Sequence, residues 1–354
     1  MMKNILVFLL ISFNSLTAQM AFEKQVHIKG VISENRTHDT IVFSNYGIDD
    51  KFYENPILIS EVKNGKFDLS TNMSYPQLYA LSYTSEKGNI VSRGGDFFID
   101  GSTRSIAVAS NSGCSDLDGK TFAEYKNNFL PFIVGNETNC QQSTIESIYY
   151  RNPNFTQKLL DYTIASPNSF VALWAFIKAI NIDGHSILFQ SILDAFSDEM
   201  KKNKLWKLAK EDLMLVRIKE NGKFPELNLK DRQQVGVQLQ LPQTKYTLID
   251  YWFYNCRPCL ENFPKMKELY TTYKSKGFEI IGISVDRTKN MSKWNDRIDE
   301  YELQWTNYWD ENGLEAAKDK IFTFPTTYLL DENGRIIGKN LAMNEVEEIL
   351  KNNL

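Results

Sequence analysis

The sequence predicts an α/β domain over residues 219–354, preceded by a β-rich, sandwich-like stretch over 19–115 and a helical region over 116–218. Three observations carry that division. The run Tyr246-Thr247-Leu248-Ile249-Asp250-Tyr251-Trp252-Phe253 is apolar and aromatic apart from one acid, the pattern of a strand covered on both faces. It leads into Cys256-Arg257-Pro258-Cys259 and an amphipathic helix. Upstream lie short alternating segments separated by turn residues, and between the two parts apolar side chains recur at helical spacing.

The amino terminus reads as a cleavable signal peptide over residues 1–18. Lys3 supplies the basic start, Ile5 to Ile11 the apolar core, and Ser15-Leu16-Thr17-Ala18 a small-residue exit with cleavage before Gln19. The apolar run is too short to span a bilayer, and no cysteine adjoins the cleavage region to carry a lipid. An uncleaved anchor is the competing reading. The expectation is an exported protein, periplasmic in a cell with two membranes, without stable membrane insertion. A net charge of −4 and the lack of a basic run argue against a nucleic-acid partner.

The β-rich stretch is read from Val26–Ile32, Thr40–Ser44, Ile57–Val62, Phe67–Leu69, Gln77–Tyr83, Asp96–Ile99 and Ser105–Val108, with Lys63-Asn64-Gly65-Lys66 as a hairpin turn. It holds no catalytic constellation; a partner-binding module and a structural appendage both fit. In the helical region Phe122, Tyr125, Phe129 and Phe132 fall on one face. Ser166-Pro167-Asn168-Ser169 is a helix start ahead of Phe170, Leu173, Trp174 and Ile177. Leu188, Ile192, Leu193 and Phe196 mark another helix, and Leu205 to Leu215 a further one. Such stripes are read as core. Cys114 and Cys140 sit at this boundary. They form either a second disulfide, worth about 3 kcal/mol in the chain-entropy model, or two unpaired thiols.

The Cys-x-x-Cys pair carries the chemistry. Pro258 fits a first helical turn, where its missing N–H is not needed. Cys256 then sits at a helix N-terminus, where free N–H groups and the macrodipole favour an anion, and Arg257 adds positive charge. Both effects lower a thiol pKa, and the thiolate is the form that attacks disulfides. A zinc site would need two further ligands, but the other cysteines and His27, His38 and His185 are scattered. No metal or other cofactor is expected. An inert structural disulfide is the other bland reading of the motif.

Further on, Phe324-Pro325-Thr326-Thr327-Tyr328-Leu329-Leu330 reads as a strand opened by a proline and followed by an Asn333-Gly334 turn. Alone, Pro325 fits a trans loop proline as well as a cis one. With Cys256-Arg257-Pro258-Cys259-Leu260-Glu261-Asn262-Phe263-Pro264, the segment resembles the TlpA/ResA-like branch of extracytoplasmic thioredoxins over about residues 222–354. That resemblance implies a thioredoxin fold, a cis Pro325, and a helix-containing insertion from about Asp286 to Lys320. The β-rich stretch resembles the uncharacterised β-domain found ahead of many TlpA-like modules. Two positions depart from the pattern. Asn255 stands where the family has Trp, and Asn262 where several members carry a buried glutamate, with Glu261 one residue early.

The resemblance implies a thiol–disulfide oxidoreductase. Cys256, exposed and thiolate-rich, is expected to attack a substrate disulfide, and Cys259 to resolve the mixed disulfide. Asp250, aligned with the buried aspartate of cytoplasmic-type thioredoxins, is expected to take the Cys259 proton, against the bland reading of an acid at a strand end. Phe324 and Pro325 are expected to pair with a substrate segment as an added strand. The expected partners are protein disulfides and a membrane thiol reductant; cytochrome c maturation is one family use. Two alternatives stand: a partner-binding protein whose redox module only locks a conformation, and a peroxiredoxin-like peroxidase. The second lacks its usual Thr three residues before the cysteine, where this chain has Phe253.

Overall fold

The computed structural model describes residues 24–32, 40–45, 47–84, 90–108, 115–135 and 144–354. The segment read as a signal peptide, Cys114 and Cys140 lie outside the described residues.

Eight strands open the described chain: β1 Lys24–Ile32, β2 Thr40–Ser44, β3 Ile57–Glu61, β4 Lys66–Met73, β5 Gln77–Thr84, β6 Ile90–Ile99, β7 Ser105–Val108 and β8 Asp116–Leu117. They form two four-stranded sheets, ordered β4-β1-β7-β8 and β3-β2-β5-β6. Alternation is strict in β4, where Phe67, Leu69, Thr71 and Met73 turn inward and their neighbours face water. Phe43 of one sheet meets Phe67 of the other at 6.4 Å between ring centroids, so the sheets stack as a sandwich. Asn64 and Gly65 both take positive φ, 52° and 71°, as a tight Asn-Gly turn requires. The expected hairpin turn forms, Lys63 and Lys66 exchanging backbone hydrogen bonds at 2.8 and 3.0 Å, but its two arms go on into different sheets. β3 pairs with β2 and β4 with β1, so the turn carries the chain from one sheet to the other.

Helices follow: α1 Lys120–Glu124, α2 Leu130–Val134, α3 Ile145–Arg151, α4 Phe155–Ala165, α5 Phe170–Asp183, α6 Phe189–Ala195, α7 Asp198–Lys202 and α8 Lys204–Leu215. The Ser169 hydroxyl accepts the Ala172 N–H at 2.9 Å and caps α5, as the sequence signal predicts. Every residue from Val171 to Ile180 is buried, so α5 is surrounded on all sides. Its Trp174 ring lies 5.0 Å from that of Tyr53, and its indole N–H donates to the Pro76 carbonyl at 2.8 Å. Sandwich and helices therefore share one apolar core. Phe132 is a correction: it is 45 % exposed, while Phe122, Tyr125 and Phe129 are buried. A π turn over Tyr125–Phe129 joins α1 to α2, and its extra residue rotates Leu130 and Ile133 into the inward positions.

The last part comprises β9 Asn228–Lys230, β10 Gly236–Gln238, β11 Tyr246–Trp252, α9 Arg257–Tyr273, β12 Phe278–Ser284, α10 Met291–Glu300, β13 Thr306–Trp309, α11 Leu314–Lys318, β14 Thr326–Asp331, β15 Ile336–Lys339 and α12 Met343–Asn353. One seven-stranded sheet runs β10-β9-β13-β12-β11-β14-β15. β11 lies parallel to β12 and antiparallel to β14, the thioredoxin arrangement. Leu248 and Trp252 face the core under α9 and α12, whereas Ile249 and Tyr251 face the core on the opposite side. This is why the β11 run is apolar without alternation.

Ion pairs tie the helices to this domain. Arg217, just past α8, reaches Glu315 at 2.9 Å and Asp319 at 2.6 Å, and Lys320 reaches Asp212 at 3.1 Å. Lys339 pairs with Asp183 at the same junction. A cavity of about 400 Å³ opens there, lined among others by Asp183, His185, Tyr328 and Lys339, and it contains neither described cysteine.

Candidate functional site

β11 delivers the chain to the start of α9, where Cys256 and Cys259 form a disulfide with Cα atoms 5.3 Å apart. Cys256 is the capping residue: its Sγ accepts the Cys259 N–H at 3.3 Å, and Pro258 lies in the first turn. Arg257 is 89 % exposed at its side chain and pairs with Glu261 at 2.8 Å, so both charges stand in solvent above the site. Asn262 is half-buried.

The expected exposure of Cys256 needs correction. It is 2 % exposed and Cys259 1 %. Phe253, Tyr254, Leu260 and Phe324 pack against the cluster that holds both cysteines. Asn255 is the exposed neighbour. The Phe324–Pro325 bond is cis. It leads into β14, and the Phe324 ring stands edge-on to Phe253 with centroids 5.7 Å apart. Cysteines and cis-proline thus share one end of the sheet, although 66 residues separate Pro325 from Cys259 in the chain.

Asp250 lies inside the sheet on the α9 side, between β12 and β14, and is 2 % exposed. It is not a strand-end acid reaching water. Among the described residues nothing hydrogen-bonds its Oδ2, and burial pushes its carboxyl up to about 7.

Two further residues shape the site and escaped sequence reasoning. Asp286, 3 % exposed, accepts the Tyr254 N–H and the Ser284 hydroxyl, each at 2.8 Å. Burial raises its pKa, and those two hydrogen bonds oppose the rise. Arg297 on α10 donates from Nε to the Tyr254 carbonyl at 3.2 Å. The signal for Asp286 is an acid two residues past a strand whose centre, Ile280 to Ile283, is apolar. Nothing local marks Arg297.

Among the described residues no cluster of three or more His, Cys, Asp or Glu could hold a metal ion, and no helix is long and apolar enough to cross a membrane. The reactive feature is a disulfide that two electrons convert to a dithiol, set at a helix N-terminus beside a cis-proline. That places the molecule in the class of thioredoxin-fold redox proteins.

Comparison with known proteins narrows the class. A family model described as the AhpC/TSA family matches residues 221–339. The thiol-disulfide oxidoreductase ResA of Oceanobacillus iheyensis is 33 % identical over 153 residues, spanning 42 % of this chain and 73 % of that protein. Thioredoxin-like protein YneN of Bacillus subtilis is 29 % identical over 121 residues, spanning 34 % of this chain and 71 % of that protein. Among solved structures, the thioredoxin domain of a thiol-disulfide oxidoreductase from Bacteroides vulgatus is 28 % identical, with a TM-score of 0.34, covering 38 % of this chain and 99 % of that one. The chain belongs to the ResA-like family of thiol–disulfide oxidoreductases.

Proposed function

We propose that the protein reduces disulfides of protein substrates outside the cytoplasm, with Cys256 as nucleophile and Cys259 as resolving thiol. In the reduced state the Cys256 thiolate attacks a substrate disulfide. A Cys256–substrate bond forms and one substrate thiolate leaves. Cys259 then passes its proton to Asp250 and attacks the Cys256 sulfur. The Cys256–Cys259 bond re-forms, the second substrate thiolate leaves, and two electrons have moved to the substrate. A thiol reductant on the membrane would restore the dithiol. Cytochrome c maturation is one pathway that uses such a reductant.

The observation that carries this reading is the disulfide at the N-terminus of α9, with Cys256 in the capping position. Free N–H groups there stabilise a thiolate on Cys256 in preference to Cys259. In the reduced form the Cys256 sulfur, no longer tied to Cys259, would turn out beside the exposed Asn255 to meet a substrate. Phe324 and Pro325 would receive the substrate backbone as a short added strand. The raised pKa of Asp250 suits it to accept a proton near neutrality. A peroxidase reading gains nothing at the site, because Phe253 packs on Phe324 and offers no hydroxyl.

The test is the reduction potential of the Cys256–Cys259 pair, by equilibration in graded thiol/disulfide buffers and alkylation of free thiols. A value near or below about −250 mV supports a reductant, and one near about −120 mV marks a disulfide-forming oxidant instead.

A further inference from the structure

The loop that leads into the disulfide is held from two sides. Sheet order places β11 between β14 and β12. On the β14 side Phe253 meets Phe324, next to the cis-proline. On the β12 side Tyr254 is engaged three times. Asp286 accepts its N–H, Arg297 donates to its carbonyl, and Lys293 Nζ stands 5.1 Å from the centre of its ring. Cys256 follows two residues later, so the disulfide has an aromatic flank at the cis-proline and a polar flank at α10.

The polar flank is cationic. Lys293 is exposed, and among the described residues it pairs with no carboxylate; its ammonium rests on the Tyr254 ring instead. Arg287 and Lys289 are exposed on the short turn between Asp286 and α10, two elements that both touch Tyr254, and neither has an acidic partner among the described residues. The acids nearby are taken. Arg257 pairs with Glu261 at 2.8 Å, and Arg297 with Glu300 at 2.5 Å. Glu311 accepts the Thr288 hydroxyl at 2.8 Å and pairs with Lys230 at 2.6 Å. Asp286 is buried. Asp296, exposed on α10, also lacks an ion pair, so Arg287, Lys289 and Lys293 stand against one unpaired acid. The chain as a whole has a net charge of −4. This flank therefore reverses the sign of the molecule around it, and rim charges of this kind act on the choice of partner and the rate of encounter.

We propose that Lys293, together with Arg287 and Lys289, is a specificity-determining rim that selects substrate disulfides flanked by Asp or Glu. The occupant is an extended acidic segment of a substrate protein. Its cysteine meets Cys256, its backbone on one side pairs with Phe324 and Pro325, and its carboxylates on the other side lie against Lys293. Without these cations such a segment would meet only the Cys256 thiolate and an acidic chain, and would be repelled. The inference rests on the reading of Cys256 as nucleophile toward protein disulfides.

The experiment uses the reduced full chain and symmetric peptide disulfides, alike except that Glu, Gln or Lys flanks the cysteine. The readout is the rate constant for the Glu peptide over that for the Lys peptide. Dividing by the same ratio for dithiothreitol removes the peptides' own reactivity, and taking a ratio within one protein cancels changes in its thiol. Wild type is expected to favour the Glu peptide about tenfold at low salt, and Lys293→Glu to abolish that preference. Arg287→Gln and Lys289→Gln are each expected to reduce it about twofold. In about 1 M salt, where the screening length is about 3 Å, the wild-type ratio is expected to fall toward unity. A wild-type ratio at or below unity, or one that Lys293→Glu leaves unchanged, overturns the rim and leaves the reductant standing. Failure to reduce even the Gln peptide overturns the reductant itself, and the rim with it.

Discussion

The Asp286 carboxylate accepts the backbone N–H of Tyr254 at 2.8 Å, two residues before Cys256, while Arg297 holds the carbonyl of the same residue at 3.2 Å. The loop into the redox disulfide is therefore clamped from the end of β12 and from α10. Asp286→Ala would leave a backbone donor and the Ser284 hydroxyl without their acceptor. The expected loss is about 1–3 kcal/mol, read as a lower urea midpoint. Disulfide exchange should slow with it, because the loop sets where Cys256 stands. An unchanged midpoint would show that water replaces the carboxylate without loss.

The two cysteines should part company when replaced singly. Cys259→Ser leaves the N-terminal thiol without its resolving partner, so mixed disulfides with substrate proteins should accumulate on non-reducing gels. Cys256→Ser should trap none, because Cys259 lies within α9, three residues past the capping position where free N–H groups favour a thiolate. Complexes on Cys259 instead of Cys256 would reverse the assigned roles.

Asp250 sets a pH dependence with a definite sign. Its carboxyl is raised from an ordinary 3.8 to about 7 by burial, so the folded state holds the proton more tightly than the unfolded one. Stability from this group is complete below the unfolded value and is lost as pH rises through the folded one. Relative to Asp250→Asn, the wild type should lose up to about 4 kcal/mol of unfolding free energy between roughly pH 4 and pH 8. Urea denaturation across that range measures the difference. A constant difference would mean that the carboxyl does not titrate there. The same variant should slow exchange near neutral pH while remaining folded, which separates its chemical contribution from its energetic one.

What was legible in the sequence follows from the range of the physics involved. β11, the start of α9 and the strand after Pro325 were readable because apolar runs, capping and turn chemistry act within a few residues. The β-rich stretch was readable for the same reason, since β1 to β7 each alternate or carry turn signals at their ends. Phe132 was misplaced because a π turn changes the helical phase without any local marker. β9 and β10 pair over only three positions and were not seen at all. The Asn64-Gly65 turn was recognised, but its place between two sheets depends on which strands β3 and β4 choose as partners. At the site, Cys256, Cys259, Asp250 and Pro325 lay in motifs. Asp286 and Arg297 did not, because only the placement of the end of β12 and the packing of α10 bring them to the Tyr254 backbone.

Arg217 gives the last prediction, at the junction of the helices with the redox domain. Its guanidinium bridges Glu315 and Asp319, whose side chains are 6 % and 0 % exposed. The two acids respond in opposite directions. Burial pushes Glu315 up, but Lys318 and Arg217 more than offset it and hold it below its ordinary range. For Asp319 burial outweighs the pull of Arg217, and its pKa is raised. Glu315 thus contributes stability that is present above its unfolded pKa and lost on acidification, whereas the Asp319 contribution is lost as pH rises. Arg217→Met keeps much of the side-chain volume and leaves both carboxylates without the shared cation. Breaking one partner of such a pair costs about 3–5 kcal/mol when fully buried, and the partly exposed guanidinium places the expectation near about 2–3 kcal/mol at pH 7. The deficit should shrink toward about pH 4, where both acids can take up protons instead. Thermal unfolding of wild type and variant at the two pH values measures it. A deficit equal at both would assign the loss to packing of the arginine stem and not to its charge.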